Sequence, residues 1–159
     1  MAGAEIIGAA ISVLLLILVG YFLIGSALTT AETVASAQKD ITLQNEARLQ
    51  TVFSMSAVYS SPDLTITIVN TGSETIRDFN HMDVYVTPSG GSPVYHSFIA
   101  TGSGVAGSSW SCTISPDNIH PGMLDPDETM VIKIIGYSSK PTAVSVSTAT
   151  GVTRFDYVL

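Results

Sequence analysis

Residues 6–28 read IIGAAISVLLLILVGYFLIGSAL, 23 positions without a single Asp, Glu, Lys, Arg or His. No other stretch limits the chain so strongly. At 1.5 Å of rise per residue, a helix of this length covers a hydrocarbon core of about 30 Å. A helix also satisfies its own backbone groups where water cannot. The apolar side chains that predict this anchor are Ile6, Ile7, Ile11, Val13, Leu14, Leu15, Leu16, Ile17, Leu18, Val19, Tyr21, Phe22, Leu23, Ile24 and Leu28. Small residues lie between them, among them Gly8, Ala9, Ala10, Ser12, Gly20 and Gly25. These let helices approach closely, although Gly20 and Gly25 are five apart and form no GxxxG seam. The expectation is a single-pass anchor spanning residues 1–28, and packing on other helices stays open. A cleaved secretory signal is disfavoured, because residues 1–5 hold no Lys or Arg and the apolar run is too long. Lys39 is the first basic residue after the run, so charge barely fixes orientation. The short N-terminus suggests that it lies inside, with the remainder outside.

At 159 residues the chain has room for one anchor and one small domain. From Thr51 onward there are four Lys/Arg and nine Asp/Glu, and the whole chain carries a formal charge of −7. An acidic surface without a basic patch excludes nucleic acid and docking on anionic lipid as main roles. The lone cysteine, Cys112, rules out an internal disulfide and every Cys/His zinc spacing. It lies two positions after Trp110 in a strand-like run, where it reads as a small buried apolar residue; a reactive thiol is the alternative.

Between Gly25 and Pro62 there is neither Gly nor Pro, and residues 29–50 are rich in helix formers. Ala27, Val34 and Ile41 repeat every seven positions, as do Ala35, Thr42 and Leu49. This predicts a helical stalk over 29–50 that continues the anchor and feeds the first strand without a flexible linker. A partly helical, solvated linker is the alternative. The period then changes. Leu64, Ile66 and Ile68 alternate with Thr65 and Thr67, and Asn70-Thr71-Gly72-Ser73 reads as a turn. Further strands are predicted at 52–59, 82–87, 94–101, 110–114, 130–136, 143–147 and 152–158, separated by clusters of Gly, Pro, Ser and Asp. Residues 51–159 are therefore expected to form an all-β, immunoglobulin-like sandwich. Tyr85, Tyr95, Phe98, Trp110 and Tyr137 are expected mostly in its core, with one or two left at the surface for a partner.

The patterns that could carry chemistry are weak. Residues 102–107 match GxGxxG, but a strand follows where a dinucleotide site needs a helix. A strand connection is the better reading. Asp125, Asp127 and Glu128 place three carboxylates in four positions and are the candidate metal ligands, with Asp117 and Asn118 near enough in sequence to assist. The EF-hand spacing is missing, and a solvated acidic turn is the competing reading. His81, His96 and His120 stand alone, and no serine occurs in GxSxG. These residues give no catalytic set and imply no cofactor.

The order of these parts resembles a known group. The anchor EIIGAAISVLLLILVGYFLIG, the run TAETVASAQKDITLQNEARLQT, the strand LTITIVNTGSETI, the strand MDVYVTPSGG and the turn LDPDETMVI are similar to the archaeal flagellin-like, type IV pilin-like proteins. Within that group the chain resembles the archaellum accessory proteins F and G. The resemblance implies a non-enzymatic structural part of the motility machinery. It implies a single membrane pass and a β domain in the extracytoplasmic space. It also implies a stator-like attachment of the motor or filament base to the S-layer protein, to a sister accessory protein, or to both. A homo- or hetero-oligomer remains open. No processing site of the pilin kind precedes the helix in this sequence, and the segment 102–119 is longer than the family pattern. An archaellin- or pilin-like filament subunit is the alternative.

Overall fold

The computed structural model of the chain describes residues 2–100 and 107–159. One helix, α1, runs Ala2–Gln50. The chain divides into two compact units, Met1–Leu43 and Gln44–Leu159. The first is helical throughout its described part, and the second holds the last residues of α1 together with all the strands.

Several hydroxyls of helix α1 bond back to its own carbonyls. The Ser12 hydroxyl donates to the Gly8 carbonyl at 2.9 Å, and Thr29, Thr30 and Thr33 do the same to the carbonyls four residues earlier. This back-bonding removes the polar cost that Ser and Thr otherwise carry into an apolar phase.

Among the described residues eight strands follow: β1 (Phe53–Ser60), β2 (Asp63–Asn70), β3 (Asp83–Thr87), β4 (Val94–Phe98), β5 (Ser109–Ser115), β6 (Thr129–Ile134), β7 (Ala143–Ser147) and β8 (Thr153–Tyr157). A short 3₁₀ turn, Phe79–His81, precedes β3. The hydrogen-bonded order is β1-β2-β6-β5-β4-β3-β7-β8. It separates into two antiparallel four-stranded sheets, β1-β2-β6-β5 and β4-β3-β7-β8. They join on one side by a short parallel pairing of β4 with β5, and on the other by a parallel bridge from Ala57 to Val158. Lettered along the chain, this is the ABED and C′CFG arrangement of the immunoglobulin sandwich.

Alternation makes the core. β2 is buried at every second position, and Leu64, Ile66 and Ile68 face Ile134, Ile132 and Met130 of β6 in register. In the second sheet Val84 and Val86 of β3 oppose Val146 and Val144 of β7. All ten are 0–1% exposed. Trp110 is fully buried and packs on Phe98, which meets Phe79 edge to face.

Of the five aromatics singled out, Trp110 is buried and Phe98 and Tyr137 are partly buried, while Tyr85 and Tyr95 pair with each other on the outside at 39% and 46% exposure, because both fall on the outward phase of β3 and β4. One expectation about burial needs correction. Cys112 is only half-buried. It lines an open cleft of about 530 Å³ with Phe79, Phe98 and Ile114.

Candidate functional site

The three candidate carboxylates do not act together. Asp125 and Glu128 are buried at 1% and 4% exposure, whereas Asp127 points to solvent from a left-handed turn position, φ 66°. Asp125 Oδ1 accepts the Thr75 hydroxyl at 2.8 Å and, with the proton on Nδ1, the His120 ring at 2.9 Å. Its Oδ2 accepts the His120 backbone N–H at 2.9 Å. Glu128 accepts the backbone N–H groups of Asn118 and Asp125, both at 3.1 Å. Asp117 accepts the N–H of Gly122 at 3.0 Å. These carboxylates therefore satisfy loop amides, as a buried polar group must. Among the described residues no three His, Cys, Asp or Glu side chains converge as a metal-ligand set.

Asp125 shows the local electrostatics. Burial pushes its carboxyl up. The hydrogen bonds from the His120 ring, the Thr75 hydroxyl and the His120 N–H, together with the nearby His120 charge, outweigh that and hold it below the ordinary aspartate value. His120 itself is largely exposed. A carboxylate can orient such an imidazole for acid–base work. Here the adjacent Thr75 hydroxyl donates to Asp125 and is not presented to the ring.

A second histidine lies in the core. His96 is fully buried on β4, and its Nε2 sits 2.6 Å from the Tyr137 hydroxyl. Among the described residues its Nδ1 has no hydrogen-bond partner. Burial lowers the His96 pKa and raises that of Tyr137 to about 12, so both stay neutral. Burial likewise pushes the Cys112 thiol up to about 11, which leaves it protonated and a poor nucleophile. The third histidine, His81, is exposed and bonds Asp78 at 2.7 Å.

The sequence NTGS has a larger structural role than a surface turn. The Gln50 carbonyl, at the end of α1, accepts the N–H groups of Ser73 and Glu74 at 3.0 and 3.3 Å. The Val52 carbonyl accepts the Thr71 N–H at 2.9 Å and its hydroxyl at 3.3 Å. Helix termini leave carbonyls without partners, and this turn supplies donors to them. Gly72 is required for the close approach, since a Cβ there would strike the Gln50 carbonyl oxygen and the Val52 nitrogen. Asn70 holds the turn from beneath. Fully buried, it donates to the carbonyls of Glu74 and Leu124 at 2.8 and 3.0 Å and accepts the Gly72 N–H at 3.1 Å.

The GxGxxG segment lies almost wholly outside the described residues. Gly107, its last position, has φ +71° and bonds the Ile135 carbonyl at 2.8 Å, and strand β5 follows it.

The sequence matches no family model and no curated protein. Several solved structures are similar, two of them archaellum proteins. One is the archaellum periplasmic stator protein FlaG from Sulfolobus acidocaldarius, 21% identical, with a TM-score of 0.46 over 67% of this chain and 97% of that one. The other is the archaellum periplasmic stator protein complex FlaF and FlaG from the same organism, 23% identical, with a TM-score of 0.44 over 66% of this chain and 82% of that one.

Proposed function

We propose that this chain is a non-enzymatic, membrane-anchored component of an archaellum, stator-like, whose sandwich lies outside the membrane. There it binds S-layer protein or a sister accessory protein. The observation that carries the reading is the exposure of the first helix: every large apolar side chain between Ile6 and Leu28 is 55–81% exposed. Such a surface requires a second apolar phase, and a bilayer is the one that fits its length. The layout of anchor, helix and Thr-rich sandwich supports the archaellum assignment through the sequence resemblance. The chemistry of the sandwich supports a structural role. Its buried carboxylates hold loop amides, and its thiol is held protonated.

A filament subunit is the second reading, because the same exposed, Gly- and Ala-bearing helix suits the centre of a helical bundle. Shearing filaments from the native cells and reading the N-terminus by mass spectrometry separates the two. Protein in the envelope fraction with Met1 intact, or lacking Met1 alone, supports the stator reading. An abundant, N-terminally cleaved form in the filament fraction overturns it.

A further inference from the structure

Strand β5 loses its neighbour part-way along. Ser109 and Trp110 stand beside Ser97 and Phe98 of β4, and the Trp110 carbonyl accepts the Ile99 N–H at 2.9 Å. The Trp110 backbone therefore faces β4. Backbone groups of successive strand residues point to opposite sides, so those of Cys112 and Ile114 face the same way as Trp110, away from β6. Among the described residues nothing pairs with the N–H and C=O groups of Cys112 and Ile114 on that side. The side chains show the same gap. Trp110, Cys112 and Ile114 share the inward face of β5. Trp110 is wholly buried, whereas Cys112 and Ile114 are only partly so.

Where a strand would continue the sheet there is the cleft of about 530 Å³, with residues 112–114 on one side, Phe79, Phe98 and Ala100 on the other, and Asp117 just past the end of β5. The chain does not defend this edge. Natural sheets blunt an exposed edge with charged side chains or Pro. Residues 111–115 read SCTIS and hold neither. The other opening of the sandwich, between β1 and β8, is closed. Ala57 bridges to Val158, the Leu159 N–H donates to the Ala57 carbonyl at 2.9 Å, and the Arg154 guanidinium covers the Phe53 carbonyl at 3.2 Å.

We propose that this slot binds an extended, apolar and basic peptide segment of another polypeptide by strand addition, the segment lying beside β5 where β4 leaves off. Its backbone pairs with the N–H and C=O groups of Cys112 and Ile114, which fixes its conformation and register. Its alternate side chains turn inward over Phe79, Phe98 and Ile114, so Val, Ile or Leu is selected at those positions. Charge sets the flank. Apart from the Cys112 thiol, Asp117 is the ionisable side chain among those lining the cleft, and the chain as a whole carries −7. Lys or Arg beside the apolar positions is therefore favoured, and an acidic segment is repelled. The slot is a property of β5 and its neighbours and does not depend on the archaellum reading.

The test uses the full chain in non-ionic detergent micelles and two pools of short synthetic peptides. Both pools carry Val, Ile or Leu at alternate positions between threonines; one ends in Lys and the other in Asp. Without peptide, the Cys112 and Ile114 amides are expected to exchange their hydrogens quickly, as unpaired edge amides do. The Lys pool is expected to protect both amides and to slow alkylation of the Cys112 thiol, with half-saturation below about 1 mM. The Asp pool is expected to bind about tenfold more weakly or worse. Asp117→Asn, which keeps an acceptor for the Gly122 N–H, should remove that preference. Cys112→Pro deletes an outward N–H while leaving the bonds to β6, and an open edge tolerates Pro. It should weaken binding by about tenfold, read at the Ile114 amide. Slow exchange of both amides without peptide overturns the proposal, and so does a Lys pool that protects neither. Binding that Cys112→Pro leaves unchanged overturns the backbone pairing, and equal binding of the two pools overturns the basic segment. Should Cys112→Pro fail to fold, amide exchange in the wild-type chain decides by itself.

Discussion

Helix α1 and the sandwich use the same aliphatic side chains to opposite ends. Ile66 and Ile132 are wholly buried, whereas Ile17 and Ile24 are 66% and 65% exposed. The sandwich supplies its own apolar interior by pairing inward rows across two sheets. The helix is apolar on all sides and buries none of its span, so its low-energy state depends on the phase around it. The difference teaches that hydrophobicity by itself does not mark a core. Alternation at period two, as in β2, marks a surface with an inside and an outside. Uniform apolarity over 23 residues marks a segment with no water-facing side at all.

The largest effect is expected from opening the sandwich core. Trp110 fills the junction of β4 and β5 and packs on Phe98 at a centroid distance of 4.7 Å. Trp110→Ala removes that volume without a neighbour able to refill it, and should cost about 3–5 kcal/mol of sandwich stability. Denaturant unfolding followed by tyrosine fluorescence measures this. Membrane insertion of the helix should be unchanged, and a variant that fails to insert would break the separation between the two regions. Leu16→Arg tests the other side. A charge near the middle of a span costs about 2.5–3.5 kcal/mol on insertion scales. The variant should shift from the membrane fraction toward the soluble fraction while the sandwich keeps its unfolding midpoint. Leu16 is 76% exposed, so an insertion loss here cannot come from lost packing within the chain.

Much of this contrast is legible in the residues, for a physical reason: both periodicities are local. The predicted strands at 143–147 and 130–136 correspond to Ala143–Ser147 and Thr129–Ile134, because inward Val and Ile alternate there with Ser, Thr and Lys. The unbroken helix to Gln50 follows from the lack of Gly and Pro after Gly25. What the sequence does not carry is long-range partnership. NTGS reads correctly as a turn, but only the fold shows that it donates two N–H groups to Gln50 and that Gly72 has no room for a side chain. The acidic turn reads first as a solvated loop, with a cation site as the alternative. Its arrangement depends on Thr75, which is 50 residues from Asp125 in sequence. Phe155 and Tyr157 escape notice because an exposed aromatic on an edge strand has the same alternating pattern as a buried one.

The smallest expected effect concerns pH and again divides the two regions. His96 is buried beside the Tyr137 hydroxyl, and burial lowers its pKa below the ordinary 6.5. On unfolding it regains that ordinary value. As the pH falls below about 6.5 the unfolded chain therefore takes up a proton that the folded sandwich does not, and stability declines by at most about 1.4 kcal/mol per pH unit from this one group. The decline ends once the pH passes the lowered folded pKa. Asp125 acts lower on the scale: its folded pKa is depressed, so its contribution is present above the ordinary aspartate value of 3.8 and is lost as the pH falls through the folded value. Denaturant unfolding from pH 8 to pH 5 should thus show a sandwich that weakens on acidification. In His96→Phe, which fills the same buried site without a titrating ring, that slope should flatten while the helix remains in the membrane at every pH. A slope unchanged by the substitution would mean that the buried ring is not what couples the sandwich to pH.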